Sequence, residues 1–262
     1  MRMPWVWVRT EVVGGFMIPK DTSERFREEG FVILEGIIPD DHRKMLLDVC
    51  DKVMAATDAR MDKQGTDVEG INHRGKRYFV PAHPDEYPET REFYFSDLNA
   101  EILRATIGSD AYLFLSQFTV KCGETGMSFA WHQDSGYVGF EHKPTINLWC
   151  ALDDMSEENG TLYLLPYSRA GTREVQPHIR QEGSNDAVGY FGDDPGDPLV
   201  VPAGTMLAFA STVFHRSSAN TLSTMRRALT VEFSTEPILN PDTGAEQIWA
   251  IPFLENGMVC AD

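Results

Sequence analysis

The sequence predicts a mainly β fold of the jelly-roll kind, preceded by a helical N-terminal region. Two observations predict it. Between about residues 111 and 235, short runs rich in β-branched and aromatic residues alternate with turn formers such as CGETG and SEENG. Before residue 111, the longer segments have helical rather than alternating spacing of apolar residues. Many short strands separated by turns are typical of a sandwich or barrel, in which helices flank the β core.

Length and charge limit the domain count and the partners. The 262 residues suit one large domain, and we expect it to span 17–262. A net charge of −17 repels phosphate backbones and anionic lipids, so we expect neither nucleic-acid nor membrane partners. The four cysteines form no CxxC pair and suggest no disulfide framework, which favours a cytoplasmic location. The sequence does not indicate an oligomeric state.

The N-terminal elements follow from caps and apolar spacing. Residues 1–16 are neither a signal peptide nor a recognisable element, and we expect a loosely attached extension. Asp21 to Glu24 resembles a capping box that opens a short helix ending at Gly30. A strand over 31–36 and an amphipathic helix over 38–60, capped by Asp40 or Asp41, come next.

The remaining elements are a long connection, one more helix and a series of strands. Residues 61–95 are polar and contain Gly, Pro, His and Arg. The segment is long for a plain connection, so we expect it to be functional or mobile, and it is a candidate lid. Residues 97–108 predict a helix that ends at a glycine. The acidic, glycine-rich segment 183–197 is typical of a loop, and 171–197 as a whole is a second candidate lid. The predicted strands are 111–121, 127–134, 145–154, 161–166, 198–202, 205–211 and 227–234.

The first candidate site is the stretch WHQD. Residues i and i+2 of a strand point to the same face, so His132 and Asp134 would project together while Gln133 faces away. The motif is weak alone, because 7 histidines and 40 acidic residues make chance copies common. One such copy is His83-Pro-Asp85, which we interpret as accidental because prolines interrupt any strand there.

Two later residues complete a possible constellation. His215 follows the predicted strand 205–211, and Arg226 opens the last one, where it shares a face with Ala228. Taken singly, each has an ordinary structural interpretation, as a turn histidine and as a rim arginine paired with an acid. Together, two histidines and one carboxylate form the facial triad of non-haem Fe(II) oxygenases. A guanidinium fork is suited to a carboxylate of a co-substrate.

The order of these motifs resembles the phytanoyl-CoA dioxygenase family over roughly residues 20–235. The stretches that match are FREEGFVILEGIIPDD, WHQD, NLWCALDDMSEENGTLYLLPYSR and VPAGTMLAF, followed by His215 and Arg226. The resemblance implies a double-stranded β-helix, the cupin-like jelly roll. It also implies Fe(II) as cofactor, with 2-oxoglutarate and O₂ as co-substrates.

The resemblance also implies roles for particular residues. His132, Asp134 and His215 would bind the iron, and Arg226 would pair with the distal carboxylate of 2-oxoglutarate. Thr161 and Gln117 match positions that help to hold this co-substrate or line the site. A basic residue in HRGKRYFV, Arg77 being our choice, would reach the iron-proximal carboxylate. As plausible pocket-lining aromatic residues we add Tyr137, Phe140 and Trp149.

The function that follows is hydroxylation of an unactivated carbon of a small organic molecule, with release of succinate and CO₂. Desaturation, cyclisation or epimerisation at the same iron is the alternative. A Zn-dependent hydrolase and a non-catalytic binding module are further alternatives. A hydrolase, however, would have no functional role for Arg226. Many family members have Pro-Gly-Ser-His where this chain has Pro-Tyr-Ser-Arg at 166–169, so the substrate is expected to differ.

Overall fold

The computed structural model describes residues 18–180 and 186–260. The extension expected at 1–16 lies outside the described residues. Helices come mainly from the N-terminal half of the chain, as predicted. The helices of the described residues are α1 (Thr22–Glu29), α2 (Asp40–Gln64), α3 (Arg91–Tyr94), α4 (Asp97–Thr106) and α5 (Tyr167–Ala170).

The helix ends show that the glycine predicted to end the first helix is correct and that the predicted N-terminal caps are not. Helix α1 ends at Gly30, whose φ of +83° needs a residue without a Cβ. No side chain caps α1 or α2, so the predicted capping box and the Asp40/Asp41 cap are wrong. Pro39 precedes α2 instead, and both aspartates lie in its first turn, where their charge favours the positive end of the helix dipole.

The strands are mostly short. The strands are β1 (Phe31–Leu34), β2 (Val68–Glu69), β3 (Asn72–His73), β4 (Arg77–Pro81), β5 (Ala111–Lys121), β6 (Phe129–His132), β7 (Ile146–Ala151), β8 (Leu162–Leu165), β9 (Ile179–Arg180), β10 (Ala187–Val188), β11 (Asp197–Pro198), β12 (Met206–Ala210), β13 (Phe214–Ser217), β14 (Arg226–Ser234), β15 (Ile251–Glu255) and β16 (Met258–Val259). Seven of them, β1, β5, β6, β7, β8, β12 and β14, lie where the sequence predicts a strand.

Two antiparallel sheets form the predicted jelly-roll core. The major sheet has the order β1-β12-β7-β14-β5-β4-β3-β2, and β15 joins it beside the start of β5. The minor sheet has the order β11-β8-β13-β6. A separate two-stranded ribbon of β9 and β10 lies in the segment predicted to be a lid.

The two faces of the major sheet bury different side chains. On β14, Leu229, Val231 and Phe233 pack with the buried faces of α2 and α4 in one large core. A smaller core on the other face joins Trp149 and Phe209 of the major sheet to Leu164 of the minor sheet. Strand alternation therefore places the polar residues of β14 between the sheets, where the cavity described below lies.

Several predicted boundaries are wrong. Segment 61–95 is not a plain connection, because β2, β3 and β4 extend the major sheet and α3 follows them. The strand expected at 127–134 ends at His132, and the region predicted at 198–202 has the two-residue strand Asp197–Pro198 and an isolated bridge from Val201 to Met155. The sequence analysis missed β13, which contains His215, and β15.

No helix among the described residues combines the length and apolar character that a membrane crossing requires.

Candidate metal centre and co-substrate cavity

Three side chains from separate parts of the chain converge between the two sheets. The Nε2 atoms of His132 and His215 lie 3.4 and 3.6 Å from Oδ1 of Asp134. One donor atom from each residue lies within 4.8 Å of the other two. Within the described residues, this is the single group of three potential metal ligands found so close together.

The minor sheet sets this geometry. His132 ends β6 and is the direct cross-strand partner of His215 on β13. Asp134 was predicted to lie in the same strand as His132, but it instead opens a short 3₁₀ turn. Because Gln133 between them keeps an extended backbone, with φ −119° and ψ 135°, His132 and Asp134 still project to one side.

Gln133 fixes the loop that joins the two ligands. Its side-chain amide donates to the carbonyl oxygens of Glu174 and Thr212, and it accepts from the backbone N–H of Gln176. Its own backbone N–H donates to Nε2 of His178 at 2.9 Å. Segment 174–178 is thus fastened to the loop that presents Asp134, which restricts how far the carboxylate can move.

The second nitrogen of each ligand histidine is already occupied. Nδ1 of His132 lies 2.8 Å from the carbonyl of Ala130, and Nδ1 of His215 lies 3.0 Å from that of Val213. In the neutral tautomer that donates to these carbonyls, Nε2 keeps its lone pair and faces the third ligand. Burial, with a smaller effect of His132, lowers the pKa of His215 to about 4, so this imidazole is neutral at pH 7.

Asp134 is held in its ionised form. Burial alone would raise the pKa of its carboxyl, but the two imidazoles and the Asn147 amide outweigh this and lower it below the usual value. Nδ2 of Asn147 on β7 donates to Oδ2 of Asp134 at 2.9 Å, which leaves Oδ1 directed at the histidines. The sequence analysis missed Asn147, whose signal was a lone amide in an otherwise apolar strand.

The three residues open into a cavity between the sheets. Its walls combine apolar and aromatic residues with a larger number of polar residues, which come, besides the ligands, from β5, β7, β13 and β14. The apolar part comprises Phe79, Val120, Phe129, Trp149, Leu162 and Phe209. The polar part, besides the three ligands, comprises Gln117, Thr119, Lys121, Asn147, Ser217, Arg226, Thr230 and Glu232.

Arg226 lies in this cavity and not at the protein surface. It is 2% exposed and donates to the backbone carbonyls of Thr119 and Gly160. Its Nε has no hydrogen-bond partner in the part of the chain that the structure describes. Burial lowers the pKa of Arg226 to about 10, so the guanidinium remains a cation at neutral pH. A buried cation with unused donors is suited to an anionic ligand.

Two ionisable residues of the cavity were not selected from sequence. Lys121 is 3% exposed and ends β5, on the same face as Gln117 and Thr119. Glu232 lies on the face of β14 that contains Arg226, and burial together with the charge of Asp134 raises its pKa to about 8. Both effects favour the protonated form of the Glu232 carboxyl. Strand alternation from Gln117 and Arg226 would have found both residues.

The structure does not bring two of the predicted co-substrate residues into the cavity. The Thr161 hydroxyl donates to the carbonyl of Leu199 at 2.6 Å, so it is committed to a backbone partner. The Arg77 guanidinium forms a buried ion pair with Asp186, at 2.9 Å, and also donates to two carbonyls. Neither side chain lines the cavity, and the roles expected for Thr161 and Arg77 stay predictions.

The other lining predictions have mixed outcomes. Gln117 and Trp149 line the cavity. Tyr137 does not: it packs against the edge of His132, and its hydroxyl accepts from the backbone N–H of Ala187. Phe140 lines a separate surface pocket beside Lys143.

The residues present fit a divalent metal of the Fe(II) class. Adjacent ligands of one ion at about 2.1 Å lie roughly 3.0–3.5 Å apart, close to the two distances measured here. Two imidazoles and one carboxylate are the donor set that leaves further coordination positions open. Carbonyls on both Nδ1 atoms and an amide on the second carboxylate oxygen are typical partners of metal ligands.

Comparisons with known proteins agree with this geometry. The sequence model described as phytanoyl-CoA dioxygenase (PhyH) matches residues 26–228. The L-proline trans-4-hydroxylase of Streptomyces griseoviridis is 28% identical over 153 residues, covering 49% of this chain and 56% of that protein. Phytanoyl-CoA dioxygenase domain-containing protein 1 of Bos taurus is 22% identical over 277 residues, covering 88% of this chain and 95% of the relative.

A solved structure extends the comparison to the fold. The non-heme alpha ketoglutarate dependent carbocyclase SnoK, from nogalamycin biosynthesis, matches with a TM-score of 0.67 at 20% identity. The match covers 91% of this chain and 100% of the carbocyclase. At this identity, it supports the jelly-roll fold.

Proposed function

The chain belongs to the phytanoyl-CoA dioxygenase family of Fe(II)- and 2-oxoglutarate-dependent oxygenases, and we propose that it hydroxylates a small organic molecule. The reaction would insert oxygen at an unactivated carbon and release succinate and CO₂. The observation that supports this proposal is the meeting of His132, Asp134 and His215 in one cavity with the buried cation Arg226.

His132, Asp134 and His215 would hold Fe(II), and Arg226 would bind the distal carboxylate of 2-oxoglutarate. When bound, the iron supplies the activation of O₂ that side chains alone do not provide. Asn147 orients the Asp134 carboxylate, and the backbone carbonyls of Ala130 and Val213 fix both imidazoles. The protein therefore provides a preformed ligand set.

The cavity walls determine what else can enter. Phe129, Trp149 and Phe209 exclude water from the space beside the ligands, which strengthens the attraction between Arg226 and a carboxylate. Glu232, whose carboxyl pKa is raised by burial, adds a polar group within the same walls. We propose a small polar substrate, and amino acids are a reasonable first class because one relative is an L-proline hydroxylase.

Binding of the metal and co-substrate tests the proposal directly. Under anaerobic conditions, Fe(II) and 2-oxoglutarate should give a weak visible charge-transfer band with wild type and none with Asp134→Ala. Asp85→Ala is the matched control, since it removes the carboxylate of the other HxD copy and should leave the band intact. A folded wild type that gives no band but binds Zn(II) would favour the hydrolase, and one that binds neither would favour a binding module.

The mass of the product separates hydroxylation from the alternative outcomes. Substrates are found by succinate release above the substrate-free rate across pools of small metabolites. Hydroxylation adds one oxygen atom to the product, whereas desaturation or ring closure removes two hydrogen atoms and epimerisation leaves the mass unchanged. Any of the last three results, from a substrate turned over with succinate release, would replace hydroxylation by the alternative.

Two broader statements belong to the same proposal. We propose that residues 17–262 act as one catalytic domain, with its β core at about 111–235 extended by strands on both sides. We also propose a cytoplasmic location, because all four cysteines are unpaired and two of them are buried.

A further inference from the structure

Glu232 places a carboxyl group inside the cavity that contains the metal ligands. It lies on the face of β14 that contains Arg226, and it is 7% exposed. Its side chain accepts a hydrogen bond from the Thr145 hydroxyl. Across residues 18–180 and 186–260, no basic side chain lies within ion-pair distance of this carboxyl, and the charge that acts on it is that of Asp134. A glutamate is rarely buried without a charged partner, so a ligand in the cavity would provide the partner that the protein does not.

The nearby Asp134 makes the burial of this carboxyl more costly. Asn147 is the direct cross-strand partner of Glu232, and its amide donates to Asp134. The two carboxyls are thus neighbours of one amide, and the charge of Asp134, after burial, raises the pKa of Glu232. The imidazoles of His132 and His215 face Asp134, whereas Glu232 has a hydroxyl as its partner. A cation bound beside Glu232 would relieve the repulsion between the two carboxyls.

The position of Glu232 along β14 separates it from the co-substrate. Arg226 begins the strand and Glu232 lies six positions later, which corresponds to about 20 Å at the usual rise of a strand. Asn147 holds Asp134 at the level of Glu232, so a 2-oxo acid that extends from the metal ligands to Arg226 runs away from Glu232. The five-carbon chain of 2-oxoglutarate is much shorter than the strand between the two residues. Glu232 therefore lies in the part of the cavity that is left for the primary substrate.

The walls around Glu232 suit a small organic cation. Cross-strand pairing places Asn147 beside Glu232 and Phe209 beside Asn147. Thr230 and Gln117 face each other on the neighbouring strands, and all of these residues line the cavity. An ammonium group on a short carbon chain can donate to the carboxylate while an aromatic ring contacts its methylene groups. The net charge of −17 also favours the approach of cations over anions.

Given the proposed function, on which this inference rests, we infer that Glu232 binds the primary substrate through a protonated amine, so that the substrates are small amines or amino acids. The cavity then has opposite charges at its two ends. Arg226 binds the carboxylate of the co-substrate, and Glu232 binds the ammonium group of the substrate. This arrangement keeps the two ligands from exchanging places, because an anion beside Glu232 and Asp134 would be repelled.

Probes that differ in charge test the inference without knowledge of the natural substrate. Protein loaded with Mn(II) and 2-oxoglutarate is titrated with n-butylammonium, 1-butanol and butyrate, which share a short carbon chain and differ in the charge of the end group. Paramagnetic Mn(II) speeds the NMR relaxation of protons on a probe that binds near it, so even weak binding is measured. Wild type should bind n-butylammonium about tenfold or more tighter than 1-butanol, as expected for a charge-assisted hydrogen bond, and butyrate most weakly.

Three variants assign the preference to one side chain. Glu232→Gln removes the charge but keeps an oxygen that accepts from Thr145, and it should bind n-butylammonium about tenfold or more weakly than wild type. Glu232→Asp keeps the charge and should retain part of the preference over 1-butanol. Glu236→Gln, at an exposed glutamate, is the matched control and should bind all three probes like wild type. Binding of 2-oxoglutarate is measured for each variant, so that loss of the amine is separated from loss of the metal site.

The outcomes distinguish this inference from the proposed function. If wild type binds 2-oxoglutarate but binds 1-butanol or butyrate as tightly as n-butylammonium, or binds none of the three, only the inference is overturned. It is also overturned if Glu232→Gln keeps the wild-type preference, or if this variant loses 2-oxoglutarate together with the amine. If Mn(II)-loaded wild type does not bind 2-oxoglutarate, the proposed function and the inference both fail. Should Glu232→Gln not fold, the order of the three probes in wild type and in Glu232→Asp decides.

Discussion

The chain contains the same three-residue pattern twice, and only one copy forms a possible metal site. His132 and Asp134 are joined by His215, and their donor atoms face one another. His83 and Asp85 lie 3.8 Å apart, but Asp85 is 76% exposed and its other basic partner is Arg91. The ring of His83 packs against Trp249 at 4.6 Å, so its contacts are those of an ordinary structural histidine.

The difference lies in the surroundings and not in the pattern. At the first copy, carbonyls bind both Nδ1 atoms and Asn147 binds the second carboxylate oxygen. At the second copy, Nδ1 of His83 accepts from the backbone N–H of Asp85, which closes a local turn. A histidine and a carboxylate two residues apart thus become a ligand pair only when a second strand supplies a third donor and the sheet fixes their orientation.

Without the third donor, His215, the pair His132 and Asp134 should bind a metal ion no better than the pair His83 and Asp85. We expect His215→Ala to weaken Mn(II) binding by more than about a hundredfold, because loss of a supporting hydrogen bond alone can reach that size. Calorimetric titration with Mn(II) at fixed pH measures the effect. His83→Ala should bind Mn(II) like wild type. Equal losses in the two variants would show that the two copies do not differ as described.

The sequence predicted which residues come together more accurately than it predicted the strands and turns that carry them. His132, Asp134 and Arg226 were selected correctly as neighbours because strand alternation and motif order are properties of short stretches. The strand that contains His215 was missed, since FHRS has no alternating pattern and its pairing with β6 and β8 is long-range. Jelly-roll strands are in fact stabilised mainly by such distant neighbours.

The positions of Arg77 and Thr161 outside the cavity have a related cause. Each lies in a segment where the chemistry suited a ligand, but a distant partner, Asp186 or the carbonyl of Leu199, had already engaged it. The sequence around Arg77 does not predict its pairing with Asp186, which lies 109 positions further along the chain. Lys121 was missed for the opposite reason, because a lysine at a strand end is usually exposed.

The hydrogen bond from Asn147 to Asp134 provides the next test of the difference between the two His-x-Asp stretches. Asn147→Ala removes the amide that donates to Asp134 and should weaken Mn(II) binding about tenfold, since supporting contacts of metal ligands are typically worth 10- to 100-fold. Arg91→Ala is the control, because it removes the corresponding polar partner of Asp85. If Asn147→Ala binds Mn(II) with unchanged affinity, the orientation of Asp134 must come from the backbone turn alone.

The pH dependence of 2-oxoglutarate binding distinguishes the buried Lys121, whose pKa is lowered, from an exposed lysine such as Lys143. The pKa of Lys121 is about 6 in the free protein and rises when a carboxylate binds. Between these two values the complex holds one more proton than the free protein. Affinity for 2-oxoglutarate should therefore fall as pH rises above about 6, by at most tenfold per pH unit, and should level off below pH 6.

Calorimetry at several pH values, in buffers of different ionisation enthalpy, measures both the slope and the proton uptake. The charged groups that act on Lys121 are Arg226, Arg77 and Asp186. Lys121→Met should lose the uptake, whereas Lys143→Met should keep it. Proton uptake that persists in Lys121→Met would assign the effect to another group.

The smallest expected effect concerns the copy that is not a metal site. His83→Ala removes the edge contact with Trp249 and one turn hydrogen bond, and we expect it to lower the free energy of unfolding by about 1 kcal/mol. Urea unfolding measures the loss, and Asp85→Ala, which changes an exposed carboxylate, should be close to neutral. Both variants should bind 2-oxoglutarate and Mn(II) like wild type. A loss of metal affinity in either one would mean that this pattern does more than pack, and that surroundings alone do not separate the two copies.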